Sequence, residues 1–167
     1  MAWSIAAGTI SAAQARQLTT AWTDRRRAER ASTSALAFRA VLREMAEQIA
    51  SGRRTVSPRI LDGINDVMRM RAGHLAVVRA QRGYETSFQA RFSEPSDLLV
   101  PVAESAAGLL SSGDITLVKK CQNPQCILYF CDTTKNHARR WCSMTACGNR
   151  AKVAAHYQRA RQAKAQD

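Results

Sequence analysis

Five cysteines lie between positions 121 and 147, and none in the first 120 residues. Four of them form two pairs of equal spacing, Cys121-QNPQ-Cys126 and Cys142-SMTA-Cys147, with fifteen residues between the pairs. Each pair can bend into a loop holding two thiolates about 3.7 Å apart, and a chain that folds back between them brings four sulfurs around one ion, the tetrahedral arrangement of Zn2+. Asn123-Pro124 favours the turn that the first pair requires. Cys131 stands the same four-residue gap beyond Cys126 and competes for a place in that pair. It falls inside the apolar run ILYFC, where a strand cannot curl two thiolates onto one ion, so it reads as a small buried hydrophobe. The expected ligands are Cys121, Cys126, Cys142 and Cys147, holding one structural zinc ion.

Histidine adds little to this site. His156 comes nine residues after Cys147, roughly 13 Å along a helix, too far to share the ion. His137 belongs to the polar turn between the pairs, and His74 lies far upstream. Four sulfur ligands close the coordination sphere and leave no position for water or substrate. No Ser/His/Asp set, paired carboxylates or glycine-rich phosphate loop stands out elsewhere, so no enzyme is expected. One local cysteine cluster, in a chain without an export signal, fits a reduced, cytoplasmic setting.

The cysteines sit in a strongly basic stretch. The formal charge is +12 and the sequence pI about 10.4. Residues 1–118 carry 15 Lys/Arg against 11 Asp/Glu, whereas residues 119–167 carry 10 against 2. That asymmetry points to a polyanionic partner, nucleic acid before a membrane surface. The candidate phosphate contacts are Lys119 and Lys120 before the first pair, Lys135, Arg139 and Arg140 between the pairs, and Arg150, Lys152 and Arg159 after the second. Lys152, His156 and Arg159 share one helical face, and Val153, Tyr157 and Ala160 another. No apolar run approaches the 18 residues of a membrane span.

The elements expected to position these residues are mostly helical, because alanine supplies much of the apolar content and aromatics only 6%. Ser11 is a candidate N-cap for a helix with Ala15, Leu18 and Trp22 on one face, continued by DRRRAER at 24–30. STS at 32–34 can restart a helix carrying Phe38, Leu42, Met45 and Ile49, with Gly52 placed to end it. Ser57-Pro58 opens a third, with Ile60, Ile64, Val67 and Met68 inward. A β-hairpin follows over about 75–92 around Arg82-Gly83. The next helix is expected to bury Leu98 or Leu99, Val102, Ala106, Leu109 and Leu110, and to stop near Gly113, with Pro101 delaying or kinking its start. Acidic residues drop out near 117, which places a helical domain at 1–117 and a second module at 118–167. In that module ILYFCDTTKNHARRWCS reads as strand, turn, strand, and RAKVAAHYQRARQAK as a helix. The fold class is mainly α (α+β): a helical domain with one β-hairpin, followed by a small treble-clef-like zinc finger.

The segment CQNPQC…YFCDTTKNHARRWCSMTACGNRAK resembles the CGNR zinc-finger family of bacterial proteins, named for the residues that stand here at 147–150. The matching features are the two CxxxxC pairs, the turn Asp132–Lys135 with Asn136, RRWCSM at 139–144 and CGNRAK at 147–152. Residues 1–118 resemble, in element order, the helical domain that precedes the finger in proteins labelled stress-induced transcription regulators. Members usually begin with a further segment, and the abrupt start at MAWSIAAGTIS fits a chain from which an earlier part is missing. The resemblance implies a zinc-dependent DNA-binding role. The function expected is that of a transcription regulator, with the finger on DNA and the helical domain sensing or dimerising; one finger contacts few base pairs, and a homodimer is one way to double the half-site. The alternative is a zinc-stabilised module that binds protein or RNA.

Overall fold

The computed structural model describes residues 10–21 and 23–164. Ser11 and Gln14 form a reciprocal capping box: the Ser11 N–H donates to Gln14 Oε1 at 2.8 Å and the Gln14 N–H to Ser11 Oγ at 3.1 Å. This opens α1 (Ala12–Ala21), whose buried Ala15 and Leu18 join Ile10 in a cluster with Phe92 and Leu98. Trp22, expected on the same face, lies outside the described residues.

DRRRAER does not continue α1, and STS does not restart a helix: α2 runs unbroken over Arg25–Ala50. Asp24 begins it by accepting the Arg26 N–H at 2.8 Å. Thr33 folds its hydroxyl back onto the Glu29 carbonyl at 3.1 Å, so it sits inside the helix without capping a new one. The end of α2 follows the expectation. Gly52 has φ +92, its N–H reaches the Ile49 carbonyl at 2.9 Å, and the Arg53 N–H reaches Gln48 at 3.2 Å. These two bonds are the Schellman motif.

The chain divides into two compact units. One takes the chain up to Leu42 together with Ser57–Ser112; the other takes Arg43–Val56 and the chain from Gly113 onward. The last two turns of α2 and the loop after them therefore belong with the cysteine segment.

In the first unit, Ser57 is the N-cap and Pro58 the first residue of α3 (Pro58–Met68), which buries Ile60 and Ile64 and keeps Val67 and Met68 half-buried. Strands β1 (Gly73–Arg79) and β2 (Tyr84–Ala90) form the expected antiparallel hairpin, in register Leu75 with Phe88 and Val77 with Thr86. A 3-10 turn at Pro95–Leu99 leads into α4 (Val100–Ser111), with Pro101 accommodated in the first turn. The buried face of α4 is Val100, Ala103 and Ala106. Of the expected set only Ala106 is buried; Leu98, Leu99, Val102, Leu109 and Leu110 are half-buried. α3 and α4 pack together, and the short alanines of α4 allow a close approach that the leucines would block. Arg71 closes this unit by pairing with Glu104 at 2.7 Å while lying 3.5 Å over the Phe88 ring.

In the second unit a 3-10 turn (Ile115–Leu117) precedes β3 (Val118–Lys120), which pairs antiparallel with β4 (Tyr129–Cys131). A π-helical turn at Met144–Gly148 then opens into α5 (Asn149–Lys164). The fold is mainly α with two small antiparallel hairpins. No helix among the described residues is long and apolar enough to cross a membrane.

Because nothing lies within 4 Å of the place a Cβ would take on Gly52, substitution there meets only the left-handed backbone penalty. Gly52→Ala should lower unfolding stability by about 1–2 kcal/mol, read by urea titration, without changing zinc stoichiometry.

Candidate metal centre

The first cysteine pair is shaped by Asn123. Its backbone carbonyl accepts the Cys126 N–H at 2.9 Å and its side-chain Oδ1 accepts the Gln125 N–H at 3.1 Å, so Asn-Pro builds a tight turn from both directions. The Cys121 N–H bonds the Leu128 carbonyl at 3.0 Å, which closes the β3–β4 hairpin across the turn. The second pair is shaped by Ser143, whose carbonyl accepts the N–H groups of both Cys147 (3.0 Å) and Gly148 (3.1 Å). The wider i to i+5 closure returns Cys147 toward Cys142, five positions earlier. Gly148 is buried: a Cβ there would stand 2.5 Å from Met144 Sδ and 3.2 Å from Trp141 Cδ1.

The two pairs meet. The Gln122 N–H donates to the Arg140 carbonyl at 3.0 Å, and Arg140 Nε donates to Gln122 Oε1 at 2.6 Å. All four sulfurs of Cys121, Cys126, Cys142 and Cys147 lie within 4.8 Å of one another. Cys142 Sγ is 3.7 Å from both Cys126 Sγ and Cys147 Sγ. Zinc–sulfur bonds of about 2.3 Å in a tetrahedron require sulfurs about 3.8 Å apart, so the donor set fits.

Its electrostatics fit as well. Burial raises the Cys121 thiol pKa, but the backbone N–H of Cys142, 3.4 Å from its sulfur, and a backbone hydrogen bond at Asn123 outweigh it and bring the value down to about 7. Burial and then the neighbouring sulfurs push Cys142 up to about 12, and burial raises Cys147. Crowded thiolates repel one another, and a dication relieves that repulsion. The site holds one structural zinc ion.

Residues 118–160 match the CGNR zinc finger family. No curated protein matches the chain. The match covers 43 of the 167 residues, from β3 into α5, and contains all four clustered cysteines.

Between the pairs the CGNR finger differs from the expected strand–turn–strand. β4 pairs with β3, upstream, and residues 138–142 form no strand. Their N–H groups have other partners: Arg139 donates to Asp132 Oδ2 at 2.9 Å and Cys142 to Cys121 Sγ. Cys131 is outside the sulfur cluster, as expected, but exposed where burial was expected. It stands at the end of β4, and the strand that would have covered it does not form.

Asp132 organises the turn. It is fully buried, pairs with Lys119 Nζ at 2.7 Å, and accepts the Thr134 hydroxyl at 2.6 Å and backbone N–H at 3.2 Å. Lys119 also donates to the His137 carbonyl, and the His137 ring meets the Asp132 carbonyl at 3.0 Å. Burial alone would raise the Asp132 pKa; Lys119, Thr134 and the Arg139 N–H hold it well below the usual carboxylate range.

Several candidate phosphate contacts are thus engaged inside the finger. Lys119 is held by Asp132. Arg139 Nε donates to the Trp141 carbonyl at 2.9 Å, its terminal nitrogen bonds the Cys142 carbonyl, and its guanidinium lies 4.8 Å over Phe130. Arg140 bonds Gln122 and lies 5.3 Å from the half-buried Trp141 ring. Lys120, Lys135, Arg150, Lys152 and Arg159 are exposed. The Glu47–Tyr129 contact gave no sequence signal: burial first, then the hydrogen bond and charge of Glu47, raise the Tyr129 phenol. Asp132 did leave one, as one of only two acidic residues in 119–167.

Cys142→Ser should drop bound zinc from one per chain to near zero, measured by elemental analysis, whereas Cys131→Ser should keep it. Asp132→Asn should lower the thermal midpoint of the zinc-loaded protein. Folding lowers this pKa, so the carboxylate's contribution is complete above its ordinary value of about 4 and is lost as pH falls through the folded value. The gap between native protein and Asp132→Asn should therefore stay constant from pH 8 to 5 and close only in stronger acid.

Proposed function

We propose that the chain is a zinc-dependent DNA-binding protein of bacterial type, a cytoplasmic transcription regulator whose CGNR finger contacts DNA. The observation that carries this reading is the charge of α5, which starts two residues after the last zinc ligand: Arg150, Lys152, Arg159, Arg161 and Lys164 stand on it with no acidic residue. Zinc holds one end of that helix in place, and Lys135, exposed in the turn between the cysteine pairs, adds a further cation. The order of knuckle between β3 and β4, hairpin, second cysteine pair and helix supports a treble clef. The first unit senses a signal or dimerises, and two fingers in a homodimer double the half-site. A closed four-sulfur site gives the ion no position for substrate, which favours binding over catalysis.

A second reading, a zinc-stabilised module for protein or RNA, is favoured by one observation. Val153 and Tyr157 are 55% and 65% exposed on α5, beside its cations.

Arg139 and Arg140 brace the finger, so the informative variant is Lys135→Ala/Lys152→Ala/Arg159→Ala. By fluorescence anisotropy on a randomised duplex pool, the native zinc-loaded protein should bind with an affinity that falls steeply with salt. The triple variant should keep its zinc, bind more weakly, and lose about 0.9 of the log–log salt slope for each phosphate contact removed. Binding that is indifferent to salt, or stronger for single-stranded RNA, would favour the second reading.

A further inference from the structure

The second unit contains a cavity of about 440 Å³ beside the end of α2. Its apolar floor is Ala50 and Ile115, both half-buried, with the buried Ile49 and Val118, and its rim carries Arg53, Arg54 and Lys120, all exposed. Lys119 and Arg139 also line it, and no carboxylate does. Five cations around one cavity repel unless something neutralises them. Two are accounted for: Lys119 by Asp132, Arg139 by the Trp141 and Cys142 carbonyls. The side chains of Arg53, Arg54 and Lys120 make no ion pair or hydrogen bond among the described residues. The carboxylates of this unit among the described residues have partners of their own: Glu44 accepts from Gln48, Glu47 from Arg43 and Tyr129, Asp114 from Thr116, and Asp132 as described. The C-terminal end of α2 carries a partial negative charge of about half a unit, partly met by the Gly52 and Arg53 N–H groups, and the three free cations exceed it.

We propose that this cavity binds a nucleoside polyphosphate, with the base against Ala50 and Ile115 and the phosphates held by Arg53, Arg54 and Lys120. The volume suits a small organic ligand, and cavities of this kind pair an apolar lining with a few placed polar groups. Three unneutralised cations match a ligand of three or four negative charges. A bare anion would leave the apolar floor unused. None of the three cations belongs to the set substituted to test DNA binding, so the two readings fail separately.

The test is calorimetric titration of the zinc-loaded full chain with ATP, GTP, CTP and UTP, each alone, beside adenosine and inorganic triphosphate. At least one nucleotide should bind one per chain, at least tenfold more tightly than adenosine or triphosphate. Arg53→Ala/Arg54→Ala and Lys120→Ala should each weaken it at least tenfold with one zinc retained. No saturation by any nucleotide at millimolar concentration would overturn the proposal. Equal binding of inorganic triphosphate would reduce the site to a patch for simple anions and overturn it too. The same holds if nucleotides fail while random duplex binds and loses affinity on substituting Arg53 and Arg54, which would make these residues backbone contacts.

Discussion

Four thiolates cannot share so small a volume unless a cation shares it with them. That constraint governs the second unit, because the chain that delivers the sulfurs has little else to fold around. Its fully or nearly buried residues, among those described, are few: Met45, Ile49, Val118, Cys121, Asn123, Asp132, Cys147 and Gly148. Two are zinc ligands, and Asn123 shapes the turn that presents another. Metal binding worth about 10–16 kcal/mol in small finger peptides can replace the core that a unit of this size lacks. Once the sulfurs are fixed, the hairpin, the π-helical turn and the start of α5 have little freedom left.

A second layer holds the turn between the cysteine pairs, and it is polar. Asp132 is buried with every lone pair direction in use, linking Lys119, Thr134 and the Arg139 backbone. Arg139 in turn binds the carbonyls on either side of the Trp141–Cys142 bond, so the carboxylate is connected through one residue to a zinc ligand. Outer partners of this kind orient ligands and tune their affinity. Part of the basic charge that suggests a polyanionic partner is therefore internal bracing, and the exposed part that remains for a ligand includes Lys120, Lys135, Arg150, Lys152, Arg159 and Arg161, with Arg53 and Arg54.

The zinc site was legible because its signal is local. Two CxxxxC pairs and an Asn-Pro turn state the ligand set without reference to the rest of the chain. Helix ends were legible for the same reason, at Ser11, Gly52 and Ser57-Pro58. What could not be read depended on pairing. The run ILYFC has strand character, but whether it joins residues 118–120 or 138–142 is decided by where Asp132 and Cys121 draw the backbone N–H groups, and Cys131 changed from expected burial to exposure with that choice. The leucines around α4 attracted the core assignment, whereas close helix packing selected the alanines. The membership of Arg43–Val56 in the finger's unit leaves no mark in composition, and it is those residues that supply Glu47 to Tyr129 and Arg53 and Arg54 to the cavity.

The central claim is that one zinc ion, held by four sulfurs, folds the finger. Zinc-edge X-ray absorption on the purified chain, repeated beside circular dichroism after chelation, tests it most directly. The account predicts four sulfur neighbours at about 2.3 Å and loss of the finger's structure when the metal is withdrawn. A first shell containing nitrogen or oxygen, or a finger that keeps its structure without metal, would contradict it.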